Sequence, residues 1–241
     1  MKINTVPSEH LVQEKFKECL EIFTAESFDK NGTANSCKIF DVFCQDNRNH
    51  NCLGCNFADS SMTIKRYLER FRMLDNIKDD FPLYIILLYL LVERIEVVFD
   101  ILQIPTVYKE KYFKVFQQVR KWANFIKHPK SFILTHHPVF DFENSGTGND
   151  RNKFEEVIND SFVNTYYKGN ADAGERNNMN KELLKKLKNK RDILVLYPDI
   201  AALTKKMCFS YNKFIELITK NEVYIDILND EATINDYFEK D

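Results

Sequence analysis

The chain has 241 residues, the size of one large domain or of one domain with an appendage. Its 20 Phe and 11 Tyr set against only 6 Gly and 6 Pro disfavour a many-stranded sandwich and favour long helices. With a formal charge of −2, a preference for an anionic partner has to come from the distribution of charge and not from its total.

In chain order, Ser8–Phe28 carries Leu11, Val12, Phe16, Leu20 and Phe23 as a helical stripe, with Ser8 as its cap. The preceding MKINTVPSEH lacks the apolar core of a secretory signal. Residues 30–60 lose periodicity and become rich in Asn, Cys, Gly and Asp, and Ser61–Ile77 returns to helix. Phe81–Ile104 is the most apolar helix, with Asp80 before it, Pro82 in its first turn and Pro105 closing it. Its apolar run, Leu83–Val92, is well short of the ~18–20 residues of a membrane span. The expectation is a soluble, cytoplasmic chain without a membrane partner. Thr106–His128 reads as the next helix, joined so tightly that the two are antiparallel neighbours.

The polar stretches 141–152 and 168–180 flank Lys153–Tyr167, which could be helix or strand. The whole of 141–180 reads as a mobile insertion. Lys181–Asn189 is a short basic helix and Asp192–Tyr197 an extended run. Pro198–Asp199 opens a helix to about Lys220, and Glu222–Leu228 and Thr233–Glu239 are short terminal helices. The predicted architecture is an all-α antiparallel helical bundle over 81–241, preceded by an N-terminal region, 1–80, that holds the Cys-rich loop 30–60.

Charge is unevenly spread. From Thr106 to His137 there are seven basic residues (Lys109, Lys111, Lys114, Arg120, Lys121, Lys127 and Lys130) against one acid, whereas Glu222–Asp241 holds seven acids and one lysine. Either the middle of the chain meets an anionic partner or the two regions neutralise each other. Within RKWANFIKHPK (120–130), Lys121, Asn124 and His128 align over two helical turns opposite the apolar stripe of Tyr108, Tyr112, Val115, Val119, Trp122 and Ile126, and Arg120 lies on the flank. Pro129 sets His128 in or just past the last turn. A histidine beside fixed cations suits acid–base work on a phosphodiester; a solvated helix end has the same composition.

This pairing of a long apolar helix, FPLYIILLYLLVERIEVVFDIL, with a helix closing on RKWANFIKH resembles the HEPN superfamily over about residues 81–220. That resemblance implies a helical bundle and, for many members, a metal-independent ribonuclease of toxin–antitoxin, CRISPR-linked or abortive-infection systems. Other members are non-catalytic. It implies that His128 moves a proton between the ribose 2′-hydroxyl and the leaving oxygen, that Arg120 or Lys121 stabilises charge at phosphorus, and that Asn124 orients His128 or a phosphate oxygen. Lys114, Lys127 and Lys130 would hold the RNA backbone. Phe113 or Phe125 would stack a base, or else belong to the core. The site would form across a homodimer, need no cofactor for catalysis, and work with an antitoxin or another defence-system protein. The family places four to six residues between Arg and His. Here Arg120 has seven residues between it and His128, and Lys121, with six between, lacks the guanidinium fork.

A second cluster has a different chemistry. Cys37, Cys44, His50, Cys52 and Cys55 crowd into 19 residues, and CLGC presents two thiols on a tight turn. Cys37, Cys44, Cys52 and Cys55 are the candidate ligands of a structural zinc; the other reading is unpaired thiols on a loop. Cys19 and Cys208 sit in helical stripes as packing residues. His136 and His137, being adjacent, cannot share a helix face. There is no Gly-rich phosphate loop, GxSxG or HExxH. A non-catalytic RNA- or protein-binding or adaptor module, stabilised by zinc, is therefore the alternative to the ribonuclease.

Overall fold

A chain so poor in glycine and proline offers few interruptions to a backbone hydrogen-bond ladder, and the computed structural model of the protein is correspondingly helical. It describes residue 23 and residues 26–37, 39, 52–70, 77–127, 156–167, 194–196 and 198–239. The helices are α1 (Leu53–Arg70), α2 (Ile77–Ile101), α3 (Thr106–Tyr112), α4 (Lys114–Lys127), α5 (Asp160–Tyr166), α6 (Ile200–Lys220), α7 (Glu222–Asn229) and α8 (Glu231–Phe238). The fold is all-α. Among the described residues the only strands are the three-residue β1 (Glu156–Ile158) and β2 (Leu194–Leu196), paired in parallel with Val157 opposite Val195. No helix among these residues is long and apolar enough to cross a membrane.

Local chemistry explains where several elements stop. α2 begins four residues before the expected Phe81, so Pro82 lies inside it. It closes in a Schellman motif: the Ile104 N–H reaches the Phe99 carbonyl at 2.9 Å and the Gln103 N–H that of Asp100 at 3.2 Å. Gln103 adopts φ 51°, the left-handed conformation that glycine usually supplies there. The single helix expected over Thr106–His128 is broken at Phe113 (φ −124°), whose N–H caps α3 on the Lys109 carbonyl. Burial of the Phe113 ring against Phe99, centroids 4.6 Å apart, outweighs one continuous ladder. The break takes Tyr108 and Tyr112 out of the buried stripe, leaving both half-buried. At the N-terminal side the expected helix does not reach Phe28, because residues 26 and 27 form a turn and Phe28 bridges Ala34. Asp29 Oδ1 accepts from the N–H groups of Asn31 and Thr33 at 2.8 Å each, and Gly32 takes φ 79° in the same turn.

The chain forms two compact units, each discontinuous in sequence: Met1–Phe71 with Leu87–Phe116 and Ala201–Asp241, and Arg72–Ile86 with Gln117–Ile200. In the first, Phe99 meets Phe113, Phe116 and Phe214, and Phe57 packs edge-on to Phe214 at 4.8 Å. Tyr211 stacks on Phe23, donates to the Phe57 carbonyl at 2.9 Å, and accepts from Ser27 Oγ at 3.1 Å. Burial pushes the Tyr211 phenol up to about 12.

In the second unit, Phe81 at the start of α2 meets Trp122 edge-on at 5.0 Å, and Trp122 and Phe125 are fully buried. Residues 156–167, from the middle of the polar region 141–180, are built into this core: Ile158, Val163 and Tyr166 are buried, and Tyr166 packs on Phe125 at 6.0 Å. The ambiguity of Lys153–Tyr167 resolves into both alternatives, a strand and then a helix. Its flanks, and the expected helix 181–189, lie outside the described residues.

Candidate metal centre

Cys52 immediately precedes α1 and Cys55 is its third residue, so the CxxC pair occupies a helix N-terminus. The helix therefore begins eight residues before the expected Ser61, and CLGC is a first helical turn, not a tight loop turn. The Cys55 N–H points back to Cys52 Sγ at 3.3 Å, which makes the Cys52 sulfur the helix cap.

Cys37 arrives from the preceding loop. Its segment is fastened to the start of α1 by the Leu53 N–H on the Ile39 carbonyl at 3.0 Å. The fastening requires Gly54. A Cβ there would lie 1.8 Å from the Ser36 carbonyl oxygen and 2.4 Å from Ser36 Oγ. The glycine in CLGC thus serves backbone approach, and its φ is not positive. Ser36 Oγ is itself buried without a hydrogen-bond partner among the described residues.

The result is a triangle of three cysteine sulfurs that all lie within 4.8 Å of one another, with Cys55 and Cys37 at 3.8 Å. With Zn–S bonds of about 2.3 Å, the edge of a tetrahedral zinc–thiolate site is about 3.8 Å, so the donor set and its spacing fit the metal. Burial pushes the Cys55 thiol up, and its hydrogen bonds with Cys52 and Cys37 act in the same direction. A cation bound among the three sulfurs would displace their protons, and Zn²⁺ is among the cations that soft thiolates select. Cys44, the fourth expected ligand, lies outside the described residues, as does His50. Cys208 is buried in α6, in keeping with a packing role.

The α4 residues have a different fate. Lys114, Asn124 and Lys127 are exposed, while Arg120 and Lys121 are half-buried. Lys121 Nζ donates to Asn164 Oδ1 of α5 at 3.2 Å, and one turn along the same helix Trp122 Nε1 donates to Asp160 Oδ1 at 2.6 Å. These α5 partners were invisible in sequence, because nothing in the polar region around them signals which helix they meet. His128 and Lys130 lie outside the described residues. Phe113 and Phe125 are 3% and 1% exposed, so both belong to the core and neither can stack a base. Part of the basic window is neutralised locally: Lys109 Nζ lies 3.2 Å from Glu96 and 3.1 Å from Asp100, both on α2.

No protein-family model, curated protein or solved structure matches the chain.

Proposed function

We propose that Cys37, Cys52 and Cys55 hold a structural zinc ion, and that the helical body braced by this site is a non-catalytic binding or adaptor module. The convergence of three thiols from a loop and a helix N-terminus supports the metal site. Zinc would fix residues 26–37, which contain only fragments of regular structure, onto the start of α1. Metal binding of this kind contributes directly to folding. The test is metal content of the purified chain by mass spectrometry, with Cys52→Ser and Cys55→Ser beside wild type. About one zinc per chain, lost in both variants, is expected; a metal-free wild type of unchanged stability would overturn the reading.

The second reading is the HEPN-type metal-independent ribonuclease, using Arg120 or Lys121 with Asn124 and His128. Its support is that α4 keeps Lys114, Gln117 and Asn124 exposed while Val115, Val119 and Trp122 are buried, which leaves a polar face open to RNA. Cleavage of total and transfer RNA in EDTA by wild type but not by His128→Ala would establish it. Equal cleavage by the two proteins, or none, would remove it.

A further inference from the structure

We propose that the open cavity lined by α1, α2, α7 and α8 in the first unit is a binding site for a small amphiphile with an apolar tail and a carboxylate head, of the medium-chain alkanoate class. The proposal is independent of the zinc reading. The cavity measures about 390 Å³, towards the lower end of the roughly 300–1,000 Å³ usual for small-molecule sites. Its wall is apolar, formed by Phe57, Val98, Ile101, Leu228, Ile234 and Phe238.

Helical spacing builds it. Leu53, Asn56 and Phe57 share one face of α1, and Arg94, Val97, Val98 and Ile101 share one face of α2, at steps of three and four. Two of the wall residues, Phe238 (58% exposed) and Val97 (38% exposed), leave apolar surface in water that a tail would cover.

Arg94 sets the head group. It lines the cavity and is exposed, so it stands at the mouth. Its Nη1 donates to Ser60 Oγ at 2.7 Å, one turn along the same α1 face. No carboxylate pairs with it among the described residues. A guanidinium has five N–H donors in a planar fork, so a carboxylate can still be accepted in bidentate fashion. None of the acids of α7 and α8 lines the cavity, so among the described residues no wall side chain repels an anionic head. One fixed cation beside an otherwise apolar pocket is the arrangement that orients a fatty-acid-like molecule, with the tail buried and the head at the rim.

Calorimetric titration of the full chain with decanoate, decan-1-ol and decyltrimethylammonium tests this, on wild type, Arg94→Gln and Val97→Trp. Decanoate is expected to bind wild type with one site per chain and roughly 10- to 100-fold more tightly than the alcohol, the range of a charge-assisted hydrogen bond. Arg94→Gln should bring decanoate down to the affinity of the alcohol and leave the alcohol unchanged. Val97→Trp, which fills the cavity from a partly exposed position, should abolish both. The proposal is overturned by absence of saturable decanoate binding, by equal decanoate affinity in wild type and Arg94→Gln, by tightest binding of the cationic amphiphile, or by undiminished binding in Val97→Trp.

Discussion

Cys37 Sγ and Cys55 Sγ lie 3.8 Å apart although 18 sequence positions separate them, and Cys52 completes the triangle. Separation in sequence with convergence in space is the condition under which a metal cross-link does most for a chain with little regular structure of its own. Cys37→Ser is therefore expected to lose zinc and lower the melting temperature, whereas Cys208→Ser, in the interior of α6, should retain a full complement of zinc. Calorimetry and metal analysis on the same samples check both.

Gly54→Ala probes the backbone contact beneath the thiols. The added methyl would sit 1.8 Å from a carbonyl oxygen, which cannot swing away as a side-chain end can. Overpacking of this kind costs about 1–3 kcal/mol. The loss should be accompanied by weaker zinc retention in a chelator competition, since the same shift moves Cys37 away from α1.

Trp122 is the single tryptophan of the chain, so its fluorescence reports on the second unit alone. Asp160→Ala leaves the indole N–H without its 2.6 Å acceptor. A cost of about 1–3 kcal/mol is expected from urea unfolding followed at that fluorophore.

The Tyr211 phenol gives an alkaline signature. Its ordinary value is 10.0 and burial in the folded state raises it to about 12. The folded chain therefore keeps the proton after the unfolded chain has released it. The resulting stabilisation is fully present below pH 10 and is lost as pH rises towards 12. Tyr211→Phe should flatten stability against pH over that interval in denaturant titrations. Below pH 10 it should also cost about 1–3 kcal/mol, because Ser27 and the Phe57 carbonyl lose their partner.

Gln103→Gly is expected to stabilise. Gln103 holds φ 51° at the end of α2, a conformation that costs a side-chain-bearing residue roughly 1 kcal/mol and glycine almost nothing. Glycine also gains entropy in the unfolded chain, so a net increase of only a few tenths of a kcal/mol in unfolding free energy is anticipated.

The sequence by itself determined the helical class and the later elements. The pattern from Pro198 predicted α6 to within a residue or two, because a Pro-Asp opening is a local signal. The same locality made CxxC legible as a ligand pair. Cys37 was also a candidate ligand from sequence; how it reaches the pair is a matter of the tertiary structure, because its approach depends on Gly54 and on the Leu53–Ile39 hydrogen bond. Only the tertiary structure decided the break at Phe113, where long-range aromatic packing outweighs helical continuity, and the attachment of α5 to Trp122 and Phe125. The place of Arg94 beside a cavity is likewise a matter of tertiary structure, since residues of α7 and α8 complete the lining. Periodicity records which face of a helix is apolar; it carries no information about which distant residues will cover that face, since burial is non-directional and the partners are chosen by the whole fold.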